Sequence, residues 1–190
     1  MFGTLIRRFA FYSRLMADFA NLSHNDQGIL LKGGVLEMCL LRGALVYDPL
    51  NNRWPNVNMQ IYKDAPILKL ENTGPLTSLH LFQMHMEFVS CVQAMGVDEP
   101  TIMLLVLIVL YTPERTGLVQ TQWIEKCQSY YTALLKHYLN WRFGPKKSNA
   151  MFGKLLTKLS DLRELSDTHN HTNLRLGKSI LNFILVKHKQ

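Results

Sequence analysis

Cysteine is scarce in this sequence: Cys39, Cys91 and Cys127 lie far apart, each in an apolar stretch of helical pattern. Such spacing excludes a disulfide framework and the close Cys/His pairs of a zinc finger or ribbon, and it suits a reducing compartment. No apolar run approaches the roughly 20 residues that a membrane-spanning helix needs. The longest, Ile102 to Tyr111, reads as a buried core helix, so no membrane association is expected. Arg7 and Arg8 interrupt the N-terminal apolar run early, which argues against a signal peptide. The formal net charge of +7 comes without a dense basic block; Pro145-Lys146-Lys147 and Lys187-His188-Lys189 are the nearest approach. A scattered basic balance reads as a solvated face rather than a nucleic-acid contact. There is no Gly-rich phosphate loop, Ser-His-Asp set, paired-carboxylate arrangement, internal repeat or low-complexity linker, so an enzyme is not expected.

What is present is apolar residue at helical spacing. The chain has 190 residues, 47% of them hydrophobic, which suits one domain with a substantial core. Over residues 2–20, Leu5, Phe9, Tyr12, Leu15, Met16 and Phe19 recur at three-to-four spacing. Ser23 with Asp26 three residues on forms a capping-box-like start for a helix over residues 24–47. This helix is apolar nearly all round and belongs inside the protein. Asp48-Pro49 ends it. Asn51-Asn52 and the alternation of Val57, Met59 and Ile61 predict a turn and short hairpin within residues 49–66.

Helical pattern resumes over residues 77–95, and Gly96 breaks it. Asp98 caps a second wholly apolar helix with Pro100 near its first turn, and Thr112-Pro113 ends that one. Two more helices cover residues 119–140 and 149–176, separated by a loop from Phe143 to Asn149. Two helices apolar on every side must be sandwiched by others, so the expected class is all-α, layered rather than a four-helix bundle, with one short β-hairpin.

Residues 12–31 carry a more specific signal. Tyr12, Ser13, Arg14, Phe19, Leu22, Asp26, Gln27, Leu30 and Leu31 follow, without a gap, the order aromatic, small, basic, four free, Phe, two free, Leu, three free, Asp-Gln, two free, Leu-Leu. This resembles the core motif of nuclear receptor ligand-binding domains. The likeness continues through LEMCLLRGALVYD, LLVLIVLYTPERTGL, HYLNWR and KLLTKLSDLRELSDTHN. Within the family it looks most similar to the vitamin D, pregnane X and ecdysone receptors, and to the invertebrate "hormone-receptor-like in 96" type. The resemblance implies a three-layer antiparallel α-helical sandwich, with the helices at 24–47 and 101–112 as filling and an apolar pocket in the lower half. It also implies binding of a lipophilic small molecule (sterol, fatty acid or xenobiotic) with no further cofactor and no metal, nuclear localisation, and a role in transcription.

The same resemblance assigns residues. Arg14 and Lys32 would grip the carbonyl end of a Leu-x-x-Leu-Leu helix from a coactivator or corepressor, a helix C-terminus being partially negative, with Gln27 and Leu31 beside them. Arg42, Trp54 and His169 would line the ligand pocket; Leu5, Phe9, Met38 and Cys39 are further lining or ordinary core. Glu37 and Arg115 match a pair found in receptors that heterodimerise with the retinoid X receptor, so an ultraspiracle-like partner is expected. The dimer face would be the helix from Met151 to Leu165, with Leu155, Leu156, Leu159 and Leu162 as its stripe, part of which must be internal core. Gly33-Gly34 reads as a close-packing point inside a helix, and His169-Asn170-His171 makes only a weak metal motif.

Two departures shape the expectation. The match begins inside the third family helix, so residues 1–190 read as a partial ligand-binding domain, with DNA reached only through a zinc-finger domain that this sequence lacks. No acidic residue follows Asp167, so the glutamate of the family's activation helix has no counterpart. A dimerisation-only or dominant-negative form is therefore the alternative to a ligand-switched activator. The run from Ile180 to Val186 would be a sticky patch if exposed.

Overall fold

A computed structural model describes residues 2–54, 68–69 and 79–172, with the backbone alone described for residues 2–6, 68–69, 79 and 169–172. In chain order the elements are α1 (Phe2–Leu15), α2 (Ala17–Ala20), α3 (His24–Val46), β1 (Arg53–Trp54), β2 (Leu68–Lys69), α4 (Leu79–Ala94), α5 (Glu99–Leu110), α6 (Thr121–Phe143) and α7 (Pro145–Thr172).

The two helices that are apolar all round set the arrangement. α3 buries Leu30, Leu31, Val35, Met38, Cys39, Leu40 and Leu41; α5 buries Ile102, Leu105, Val106, Ile108, Val109 and Leu110. Each such side chain stabilises the fold by about 2 kcal/mol relative to exposure. α3 packs against α5, α4, α1 and α7, and α6 packs against both α5 and α7. The result is an antiparallel three-layer helical sandwich: α3, α5 and α6 lie between α1 on one side and α4 with α7 on the other. Both filling helices start on side-chain caps. Ser23 Oγ accepts from the Asp26 N–H at 3.1 Å, and Asp98 accepts from Thr101 N at 3.2 Å and Thr101 Oγ1 at 2.6 Å, with Pro100 in the first turn.

Three sequence-based boundaries shift. The first helix is not continuous to residue 20, because Met16 takes an extended backbone (φ −81°, ψ 125°) and separates α1 from the one-turn α2. The hairpin pairs Arg53 with Lys69 and Trp54 with Leu68, while the alternating Val57, Met59 and Ile61 lie outside the described residues. The loop expected from Phe143 to Asn149 contracts to Gly144. Its φ of +78° turns the chain, its N–H bonds Asn140 O at 3.0 Å, and Pro145 opens α7 at once.

Candidate functional site

Asp26 explains the Asp-Gln interruption. Its carboxylate is fully buried and accepts from the N–H groups of Val119 (3.0 Å) and Gln120 (2.8 Å) at the start of α6. The Gln120 side chain returns a bond, accepting from Ser23 N at 2.6 Å. Gln27 ties the same corner from inside, its carboxamide donating to Leu22 O (2.9 Å) and Ala20 O (3.3 Å). Gln27, expected beside the coregulator groove, thus braces the α2–α3 corner through its carboxamide. Trp123 Nε1 and Tyr131 OH of α6 donate to the backbone and carboxylate of Asp18 in α2 (both 3.2 Å), so α6 holds α2 from two sides. Burial, reinforced by Asp18, pushes the Tyr131 phenol up to about 12, so it stays a donor.

This corner carries a mixed surface. Phe11, Tyr12 and Leu15 on α1 are 62%, 62% and 66% exposed, and Arg14 among them is exposed too. Lys32 is exposed on α3, which packs against α1. Leu31, expected as groove lining, is instead buried in the core, because it faces inward from α3. Tyr12 and Leu15, read from their spacing as part of the apolar stripe, are exposed instead, and Phe11, which the spacing did not single out, joins them. The signal was available: α1 has more large apolar residues than one inward stripe can use.

The interior side of α3 presents two charged residues with different fates. Glu37 is buried, and its Oε1 lies 3.2 Å from Arg115 Nη2, which also reaches Val109 O at 3.5 Å. Burial raises the Glu37 carboxyl above its ordinary range, and Arg115 only partly opposes this. Arg115 crosses α3 directly over Gly33 and Gly34. A Cβ on Gly33 would stand 2.5 Å from Arg115 Nη1, so the glycine pair is the slot that admits the guanidinium. Arg42, five residues further along, has Nη1 2.8 Å from Glu99 Oε1, an ion pair off line for a hydrogen bond, at the start of α5. Arg42 thus pairs with a carboxylate that is 63% exposed.

Trp54 is buried between its neighbours: its indole donates to Gly43 O at 3.1 Å, and its ring meets those of Tyr47 at 4.7 Å and His85 at 5.7 Å. Met38 and Cys39 are core residues, and burial lifts the Cys39 thiol to about 12, which removes any thiolate chemistry. Phe9 is half-buried against the same core. The side chains of Leu5 and His169 lie outside the described residues, as does that of His171; no group of metal-ligating side chains occurs among the described residues.

An open cavity of about 570 Å3 lies elsewhere, where α3, α5, α6 and α7 meet, with Glu37, Thr112, Gln128, Leu159, Arg163 and Asp167 among its walls. Of the expected pocket residues whose side chains are described, namely Phe9, Met38, Cys39, Arg42 and Trp54, none borders it. The expected dimer stripe divides, part of it being core as its length requires: Leu155 and Leu162, seven residues apart on one face of α7, are buried in the core, while Leu159 is only partly buried and lines this cavity.

Comparison with known proteins places the chain. Residues 10–174 match the family model described as the ligand-binding domain of nuclear hormone receptor. Thyroid hormone receptor alpha of Pygoscelis adeliae is 32% identical over 167 residues, covering 86% of this chain and 39% of the relative. Thyroid hormone receptor beta of Gallus gallus is 33% identical over 165 residues, covering 86% and 42%. A Gag polyprotein of avian erythroblastosis virus is 32% identical over 167 residues, covering 86% and 28%. The chain therefore spans about two fifths of the receptors it matches. The expected leaning towards the vitamin D, pregnane X, ecdysone and "hormone-receptor-like in 96" receptors is corrected by these thyroid hormone receptor relatives. The stretches that suggested it, such as residues 104–118 and 154–170, include many buried helix positions, where packing rather than ligand chemistry selects the residue. The fold, the Asp26 corner and the family match together make this chain a member of the nuclear hormone receptor ligand-binding domain family.

Proposed function

We propose that the chain is the ligand-responsive module of a nuclear transcription regulator, which binds a lipophilic small molecule and passes the signal on as altered coregulator binding. The work is binding, not catalysis: the ligand shifts the population of surface conformations. The observation that carries this reading is that α1 exposes Phe11, Tyr12 and Leu15 together with Arg14, and that α3, which packs against α1, exposes Lys32. An amphipathic Leu-x-x-Leu-Leu helix has the matching parts, leucines for the apolar residues and a negative C-terminal end for the cations. The test is fluorescence anisotropy with such a labelled peptide. The double variant Arg14→Glu, Lys32→Glu is expected to weaken binding at least about tenfold, as loss of interfacial charge pairs does. Equal binding by the variant overturns the groove.

For the ligand, the reading favours an apolar molecule with an acidic group. Arg42 has a buried Nη1 whose ion partner is mostly in water, so a ligand anion has only a weak surface pair to displace. Thyroid hormone, which the relatives' names carry, is the first ligand to try. A thermal shift with wild type and none with Arg42→Leu supports the assignment; equal shifts remove Arg42 from it. For the partner, a retinoid X receptor-like subunit would meet the α7 side near Leu159 and the loop of Arg115. Co-sedimentation with such a subunit, lost on Leu159→Glu, is the expected result, and an unchanged complex moves the interface elsewhere.

A further inference from the structure

The open cavity where α3, α5, α6 and α7 meet carries a charge opposite to that of the chain. Its walls hold four carboxylates, Glu37, Glu114, Glu164 and Asp167, against one guanidinium, Arg163, while the whole sequence is formally +7. At about 570 Å3 the cavity lies within the range of small-molecule sites. Arg14, Lys32 and Arg42 stand outside it, so it is separate from the coregulator surface and from the acidic-ligand site proposed above.

These carboxylates are under-compensated by the fold itself. Glu37 is buried and gives only Oε1 to Arg115, at 3.2 Å; no described residue donates to its second oxygen. Burial raises its carboxyl, Arg115 and Arg163 work against that, and the nearby Asp167 works with it. Asp167 and Glu164 lie three residues apart on α7, where like charges repel, and neither makes an ion pair with a described residue. Arg163 spends Nη2 on Thr112 Oγ1 at 3.3 Å. A surplus of carboxylate thus faces a recess in the protein, where a charge is felt more strongly than in open water.

The arrangement also selects the kind of cation. Among the described residues, no three of these carboxylates converge closely enough to hold a metal ion. The wall between them is partly apolar, with Ile108 and Val109 from α5 and Leu159 from α7. Along α7 the wall runs from Leu159 to Thr168, about 13 Å of helix. Separated anionic points joined by apolar surface suit an elongated molecule with several ammonium groups on a methylene chain. Each ammonium offers three donors to carboxylate oxygens, and each methylene gains by leaving water.

We propose that this cavity binds an aliphatic polyamine, with one ammonium between Glu37 and Asp167, a second towards Glu164, and the methylene chain on Val109 and Leu159. Glu37 does not move: Arg115 holds it in place, and the ligand comes to its open oxygen. Because the chain as a whole is basic, it repels polyamines everywhere else, and binding is confined to this recess.

Isothermal titration calorimetry of the 190-residue chain with spermine tests it. The expected result is saturable binding of one spermine per chain. The double variant Glu164→Gln, Asp167→Asn should weaken it at least about fivefold, as loss of partly exposed charge pairs does. Ser160→Trp, a neutral change on the same wall, should abolish it by filling the space. All three positions are exposed, so these variants leave the core alone. Hexylamine, with one charge and a similar apolar chain, should bind far more weakly, and Mg2+ should compete no better than NaCl of equal ionic strength. No saturable binding overturns the proposal, and so does binding that either variant leaves unchanged. Hexylamine as tight as spermine, or displacement by Mg2+ beyond that of NaCl, overturns it too, the first by reducing the site to a single charge and the second to a metal-attracting surface.

Discussion

Glu37 and Arg42 stand five residues apart on α3, each paired with a residue near an end of α5, and they are held in opposite ways. Glu37 is 5% exposed and meets an Arg115 that is 14% exposed, in a slot cut by Gly33 and Gly34. Arg42 meets Glu99, whose carboxylate stands largely in water. The first pair is locked, since neither member can leave without stranding the other in the interior. The second is exchangeable, since water already competes for Glu99. A structural charge and a charge able to answer a ligand thus sit within two turns of one helix, and their surroundings rather than their residue types separate them.

Removing Arg115 should break the locked side hardest. Arg115→Ala leaves Glu37 buried and unpaired, an expected loss of about 3 kcal/mol in urea unfolding. A loss below about 1 kcal/mol, the level of an exposed pair, would erase the distinction. Asp26→Ala extends the comparison to a buried carboxylate satisfied by backbone instead of by a cation. It orphans the Val119 and Gln120 N–H groups and should cost about 2–3 kcal/mol. Gly33→Ala comes next, at about 1–2 kcal/mol, the scale of overpacking. The methyl displaces the guanidinium, so Gly33→Ala added to Arg115→Ala should cost much less than it does alone. Simple additivity in that double-mutant cycle would mean that the glycine serves something other than Arg115.

The pH response sharpens the same contrast. Glu37 titrates above its ordinary 4.5 in the folded chain, chiefly through burial. The native state therefore binds this proton more tightly than the unfolded state does, and stability from this group falls as pH rises from 4.5 through the raised value. Measured as wild type minus Glu37→Gln, the stability difference should decline across that window and level off above it. Asp98 runs the other way. Burial works to raise it but is outweighed by hydrogen bonds from Thr101 and Tyr138, so it titrates below its ordinary 3.8. Its contribution is present above 3.8 and is lost as pH falls through the lowered value, a change that Asp98→Asn should abolish.

Much of this was legible in the residues. The filling helices announced themselves through patterns apolar on every side, and Ser23, Asp98 and Pro100 marked their starts because capping is a local matter of a few bonds. Gly33-Gly34 was readable as a close approach, although what approaches is Arg115, some 80 residues later in the chain, and no local pattern encodes that. The end of α6 was misplaced for a related reason: Gly144 followed by Pro145 looks like the opening of a loop, yet a single residue at positive φ next to a proline that suits a first helical turn needs no loop. Arg42 shows the limit most clearly. Its place in an apolar helix marked it as unusual, but whether it turns inward or pairs with Glu99 depends on how α5 docks, and the sequence of α3 is silent on that.

The smallest expected effect is at Glu99. Glu99→Gln removes the partner of Arg42 while keeping the residue's size, and a largely exposed ion pair contributes only about 0–1 kcal/mol, so the unfolding midpoint should hardly move. Binding is where this variant should speak. If the Arg42–Glu99 pair is what an acidic ligand must displace, weakening it frees the guanidinium, and affinity for an anionic lipophilic ligand should rise severalfold, while that for a neutral analogue stays unchanged. Arg42→Leu should abolish the difference between the two ligands. A Glu99→Gln variant that is markedly destabilised, or that binds both ligands alike, would put Arg42 in the same class as Glu37, as part of the frame.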